Sequence, residues 1–323
     1  MFTINVATIL FYFCITNTQA GLPANYPSIP IRAALRMPYT IRMPLIGSGT
    51  WLYNDSQAQF SVETAFKLGY RHVDTALTYH NQLGVGKALQ NSGVPREEYF
   101  ITSKIPGAVN ESSVATLNNL NECLALLNQS YVDLMLIHWP GKTTTKKGRQ
   151  IQWLTLEKWA KAGKAKAIGI SHYCQTHVEE ILEVATLPIA LNQNQYHVGM
   201  GQDDAAQLHD KKYMESQGIV FMAYSTLCGP CAPPLNHELI NGALVESIGK
   251  PLNKTGAQIA LKWAVQQGIP VIPKSSNPAH IRSNFDLFGW EIEKEDMARL
   301  SSAVSPPETG TTQNPDDAQD CQA

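Results

Sequence analysis

From Pro44 onward, short apolar runs alternate with longer stretches in which apolar residues recur every three or four positions. The short runs predict strands at Pro44–Ile46, Arg71–Asp74, Phe100–Ser103, Val132–Ile137, Ala165–Ile170, Ala190–Gln193, Ile219–Ala223 and Pro270–Ile272. The longer stretches predict helices, among them Ser61–Leu68, Ser113–Leu127, Gln152–Ala162, Thr176–Val184 and Gly256–Gln267. Eight such alternations without a break in composition predict an α/β fold whose parallel strands close on themselves, a (β/α)8 TIM barrel. The competing open, doubly wound sheet would carry a three-glycine dinucleotide turn after its first strand. Gly47-Ser48-Gly49-Thr50-Trp51 lacks the third glycine. Ahead of the barrel, Leu35-Arg36-Met37 and Ile41-Arg42-Met43 flank Pro38-Tyr39-Thr40 and predict an N-terminal β-hairpin that plugs the barrel bottom. The barrel is assigned to residues 35–303, and the Ser/Pro/Gly/Thr/Asp-rich stretch 304–323 to a flexible tail.

The first twenty residues differ in kind. Val6 to Ile15 is almost unbroken apolar sequence, followed by small and polar residues ending at Ala20, the shape of a cleaved secretory signal peptide (1–20) with a linker (21–34) behind it. The run is too short to cross a bilayer, which takes about 20 apolar residues. N-x-S/T sequons begin at Asn54, Asn110, Asn128 and Asn253, so the expectation is a secreted glycoprotein with no membrane attachment in its mature form. After loss of Cys14 an odd set of cysteines remains, in which Cys228-Gly-Pro-Cys231 is a pair that an oxidising compartment can close as a disulfide. Zinc finds no second pair at ligand spacing, and no metal is expected. A formal charge of −2 and a pI near 6.5 exclude an electrostatic nucleic-acid binder.

In a barrel of this kind the chemistry sits where strands end, at the C-terminal face. Those ends carry Asp74, Lys104 and His138, with Tyr79 five residues beyond Asp74. The segments Met43–Trp51, Gly69–Ala76, Leu136–Pro140, Ala167–Ser171 and Val271–Ser275 stand in register and closely resemble the aldo-keto reductase family, from about Leu35 to Leu300. The resemblance implies an oxidoreductase with the tetrad Asp74, Tyr79, Lys104 and His138. Carbonyl reduction needs a hydride at carbon and a proton at oxygen. A free phenol, pKa about 10, holds its proton too tightly to be an ideal acid. A neighbouring Lys104 ammonium is expected to lower that pKa, Asp74 to keep Lys104 charged, and His138 to donate to the substrate oxygen.

The resemblance also implies a cofactor stretched across the barrel mouth. Tyr224 stacks on the nicotinamide, Ser171 and Gln193 bind its carboxamide, Ser225 and Leu227 meet the pyrophosphate, and Asn284 faces the adenine. Thr50 and Trp51 join this set. Lys274-Ser275-Ser276-Asn277-Pro278 also makes sense from first principles, because Asn277 is a good N-cap and Pro278 a good first helical residue. The free N–H groups and positive dipole end of that helix suit a phosphate. Two cofactor positions depart from the pattern: His172 replaces an Asn at the carboxamide, and His280 replaces the Arg that clamps the 2′-phosphate. Gln195 replaces a Glu near the adenine ribose. NADPH is expected with a weakened preference over NADH. Trp51, His138 and Trp139 would line an open pocket for a small-molecule carbonyl, in a chain acting as a monomer. The rival expectation is a secreted, non-catalytic binding or structural protein on the same barrel.

Overall fold

The computed structural model describes residues 21–34, 40–141, 144–200, 206–228 and 237–303. The chain enters the fold earlier than the pattern indicates. Ser28–Arg32 (β1) pairs antiparallel with Thr40–Pro44 (β2), Ser28 opposite Pro44 and Arg32 opposite Thr40. The hairpin is therefore present, but its first arm lies inside the stretch assigned as linker, and the expected arm Leu35–Met37 falls outside the described residues. Prolines at 23, 27 and 30 give this stretch the look of a linker; Pro30 is tolerated because β1 is an edge strand. Ile31 and Met43 of the hairpin pack with Phe100, Leu134, Leu136, Ala167, Leu191 and Met222, inward residues of the barrel strands.

The barrel follows as Ser48–Gly49 (β3), Asp55–Lys67 (α1), His72–Asp74 (β4), Gln82–Asn91 (α2), Phe100–Ile105 (β5), Ser113–Leu127 (α3), Val132–Ile137 (β6), Lys146–Trp159 (α4), Ala165–Ser171 (β7), Gln175–Leu182 (α5), Leu191–Gln195 (β8), Ala206–Ser216 (α6) and Val220–Tyr224 (β9). Helices Glu238–Asn241 (α7), Ala243–Leu252 (α8), Gly256–Gln266 (α9), Pro278–Phe285 (α10) and Lys294–Ser302 (α11) complete it. Strands β3 to β9 pair in sequence order, all parallel. The ring closes through Val271, which bridges Ile46 on one side and Ala223 on the other. Main-chain bonds Gly47 N to Val271 O (2.9 Å) and Ala223 N to Pro270 O (2.9 Å) fix the seam. The expected eighth strand shrinks to this bridge because Pro270 and Pro273 have no N–H to donate.

Helix starts follow their caps. Asn54 and Gln57 form a reciprocal capping box, so α1 begins six residues before the predicted Ser61. The Thr145 hydroxyl caps α4 by accepting from Gly148 N, ahead of the predicted Gln152. Register then aligns the strand ends: Gly49 lies opposite Asp74, Ser171 opposite Gln193, and Gln195 opposite Tyr224. Of these, Asp74, Ser171, Gln193, Gln195 and Tyr224 are residues assigned to the barrel mouth.

Candidate active site

Asp74 ends β4, Lys104 lies one residue from the end of β5, and His138 directly follows β6. Tyr79 closes a single 3-10 turn, Leu77–Tyr79, after β4. The structure brings all four together. The Lys104 side chain is wholly buried and its Nζ makes a short ion pair with Asp74 Oδ1. The same Nζ donates to Thr75 O (3.2 Å) and to the Tyr79 hydroxyl oxygen (3.3 Å). Tyr79 and His138 meet edge to face, with ring centroids 5.5 Å apart. Because the phenol oxygen accepts from Lys104, its own proton is free to point elsewhere.

The electrostatics correct one expectation. The Tyr79 pKa is raised well above the ordinary phenol value, first by burial and then by the Asp74 charge. Burial also lowers the Lys104 pKa, with the Asp74 carboxylate opposing it. The ammonium is already paired with that aspartate, so burial and the Asp74 charge outweigh its pull on the phenol. His138 is pushed well below the usual imidazole range by burial, by Lys104 and by His172. Near neutral pH it is an uncharged hydrogen-bonding group.

Three residues assigned to the cofactor turn inward instead. The Thr50 hydroxyl donates to Asp74 O (3.0 Å). The Ser171 hydroxyl donates to Gln193 O (2.7 Å). Gln193 Nε2 donates to Asp74 Oδ2 (2.8 Å). Thr50 and Ser171 are fully buried, so they brace strand ends and do not present free donors, while Gln193 keeps only Oε1 for a carboxamide.

The rest of the set is mixed, with some members exposed and others packed against the barrel. Tyr224 is half-buried at the end of β9, its ring 4.9 Å from that of His172. Ser225 adopts a left-handed conformation (φ 58°), and Leu227 packs against the main core cluster. Lys274 Nζ lies 4.8 Å from the Tyr53 ring centroid. Beyond it the Ser275 hydroxyl accepts from Asn277 N (3.1 Å), and Asn277 Oδ1 accepts from Ala279 N (2.9 Å). Asn277 is thus the N-cap of α10 and Pro278 its first residue, as the sequence predicts. Ser276 and His280 are exposed, and Asn284 is buried on the same helix. An aromatic face beside the tetrad and a cation at a capped helix start fit the two ends of a dinucleotide. Trp51 is exposed, and Trp139 tilts against His138 at 4.5 Å.

Several participants carried no sequence signal beyond being polar near a strand end. Thr78 Oγ1 lies 3.2 Å from His138 Nδ1. Asn81 Nδ2 donates to Thr50 O and Tyr53 O (2.8 and 2.9 Å), tying the loops after β3 and β4 together. Asn194 Oδ1 accepts from His172 N (3.0 Å). His172 itself sits at φ 61° and donates from Nδ1 to His138 O (2.7 Å). The residue that breaks the pattern at the carboxamide therefore holds the backbone of His138.

Cys174 and Cys228 are each disulfide-bonded; Cys231, the expected partner of Cys228, lies outside the described residues. Cys123 is a free, buried thiol whose pKa burial pushes up to about 11. Among the described residues no group of three or more His, Cys, Asp or Glu could hold a metal, and no helix is long and apolar enough to cross a membrane.

The Aldo/keto reductase family profile matches residues 45–305. Glyoxal reductase of Bacillus subtilis is 36% identical over 278 residues, covering 86% of this chain and 94% of that protein. Aldehyde reductase YPR1 of Saccharomyces cerevisiae is 32% identical over 296 residues, covering 84% and 90%. The crystal structure of MGS-M4, an aldo-keto reductase from a Medee basin deep-sea metagenome library, superposes with a TM-score of 0.75 at 32% identity, covering 85% and 95%. The chain belongs to the aldo/keto reductase family. It is accordingly an NAD(P)H-dependent oxidoreductase on a (β/α)8 barrel.

Proposed function

We propose that the chain reduces aldehydes and ketones to alcohols with NADPH, with Tyr79 as proton donor. The observation that carries this reading is the chain of contacts from Asp74 through Lys104 to the Tyr79 oxygen, with neutral His138 beside it. When bound, a reduced nicotinamide over Tyr224 supplies the hydride. The protein's own residues do the remainder. His138 and Tyr79 converge on the place where a carbonyl oxygen sits. The raised Tyr79 pKa keeps the phenol protonated at neutral pH, the form a proton donor must have. The Lys104 ammonium acts on the product of transfer: a phenolate 3.3 Å away is stabilised where the neutral phenol is not. Asp74, held by Gln193 and by its own backbone bond from Thr50, keeps the ammonium aimed.

NADPH is favoured over NADH by Lys274 and the start of α10, which together suit a phosphate. The exposed rim residues Trp51 and Leu52 and the ring of Trp139 suit apolar carbonyl compounds, and the chain acts on them as a monomer. The site of action is the secretory pathway or the extracellular space. Support comes from the apolar run Val6–Ile15, from the exposure of all four sequon asparagines and from the disulfide-bonded Cys174 and Cys228. The test is NADPH oxidation, followed by absorbance, with a panel of aldehydes and ketones. Wild type should turn over, and Tyr79→Phe should lose about 10² to 10⁴ in kcat while still binding NADPH. NADPH binding without turnover by wild type on any substrate would leave the non-catalytic binding role standing instead.

A further inference from the structure

His138 has to offer a proton to the carbonyl oxygen, and a neutral imidazole has only one N–H to offer. Which nitrogen carries it depends on what the other nitrogen meets. Nδ1 lies 3.2 Å from the Thr78 hydroxyl oxygen. Nε2 has no hydrogen-bond partner among the described residues, and the ring faces Tyr79. The residue's main chain is fixed at both ends, His138 N donating to Ile105 O (2.8 Å) and His138 O accepting from His172 Nδ1 (2.7 Å). The ring plane is set by packing against Trp139 (4.5 Å) and Tyr79 (5.5 Å). What remains open is the direction of the Thr78 contact. A hydroxyl either donates to Nδ1 or accepts from it. Only the first arrangement leaves the proton on Nε2, where it can reach a substrate.

We propose that Thr78 is a positioning residue whose hydroxyl donates to His138 Nδ1 and so locks the imidazole as the Nε2–H tautomer, aimed at the carbonyl oxygen that Tyr79 protonates. Two features support the assignment. Thr78 immediately precedes Tyr79 in the same 3-10 turn, so one short backbone unit sets the acid and the orientation of its partner together. Burial, Lys104 and His172 also keep the imidazole uncharged, and only an uncharged ring has a tautomer to choose. A valine at this position would match the shape of threonine but remove the donor, leaving Nδ1 against a methyl group.

The kinetic side of this proposal rests on the carbonyl-reductase reading; the tautomer itself does not. The deciding measurement is nitrogen NMR on protein labelled with 15N-histidine, with the His138 signals assigned by their loss in His138→Gln. Wild type near neutral pH should show His138 with Nε2 protonated and Nδ1 bare. Thr78→Val should give a mixture of tautomers, with the other histidine signals unmoved. The same variant should lower kcat by about tenfold or more while leaving the NADPH Kd unchanged, and Thr78→Ser should restore both readouts. A wild-type His138 protonated on Nδ1 overturns the proposal, as does a Thr78→Val protein with unchanged tautomer and kcat. If wild type reduces no carbonyl at all, the functional reading falls, and the NMR still decides the tautomer.

Discussion

At position 280 an exposed imidazole occupies the third residue of α10, where the family resemblance calls for a guanidinium. Arginine grips a phosphate through two parallel N–H bonds from a rigid, charged fork; an imidazole ring cannot make that paired contact. A charge-assisted hydrogen bond contributes about 1.5–3 kcal/mol, so His280→Arg should raise the preference for NADPH over NADH by about tenfold or more. Fluorescence titration with both dinucleotides measures this, and an unchanged ratio would place the 2′-phosphate away from α10. Of the four residues assigned to the tetrad, Asp74 and His138 were legible at strand ends inside recognisable segments, whereas Lys104 was read from its strand end and Tyr79 from its place five residues beyond Asp74. The directions of the Thr50, Ser171 and Gln193 side chains were not legible. Those depend on which acceptor lies nearest across the sheet, and that is set by register between strands far apart in sequence. The Tyr79 pKa was misjudged for a related reason. Burial and the Asp74 charge compete with Lys104, and only the assembled site shows which prevails.

Between elements, α1 and α2 approach closely at Gly84. A Cβ on Gly84 would stand 2.0 Å from Asp55 O, and the Gly84 N–H donates to Asp55 Oδ1 at 2.7 Å. Only a residue without a side chain allows this contact, so Gly84→Ala should cost about 1–3 kcal/mol through overpacking. Thermal unfolding reads the loss, and an unshifted Tm would mean the two helices separate without strain. The same glycines explain why α2 was not predicted: Gly84 and Gly86 interrupt the apolar period, although close packing is their purpose. Strand β6 and helix α3 match their predicted bounds because both have clean periodicity and defined ends. The hairpin was recognised but misplaced. Its first arm carries a proline that an edge strand accepts, and nothing local distinguishes such an arm from a linker.

For the whole molecule, the buried histidines make stability depend on pH. His72 lies inside the sheet with Nε2 2.9 Å from Thr102 Oγ1 and with Nδ1, beside Gly47, lacking a hydrogen-bond partner among the described residues. Burial, reinforced by the Lys104 charge, pushes its pKa down to about 3. In the unfolded chain the same side chain titrates near 6.5. Below that pH the unfolded state takes up a proton that the native state refuses, so stability is present above pH 6.5 and falls away as the medium is acidified toward 3. Between pH 7 and pH 5 this single group should remove about 2 kcal/mol. His138, also held neutral by burial, acts in the same direction. Other acid-titrating groups contribute to the total, and a matched comparison cancels them. Urea unfolding of wild type and His72→Gln at both pH values gives the difference directly. Glutamine does not titrate, so whatever the variant loses in packing is the same at either pH. The wild type should lose about 2 kcal/mol more than the variant on going from pH 7 to pH 5. Equal losses would show that the native barrel admits a proton to His72 near its ordinary pKa, and hence that the sheet interior beside Lys104 is open to water.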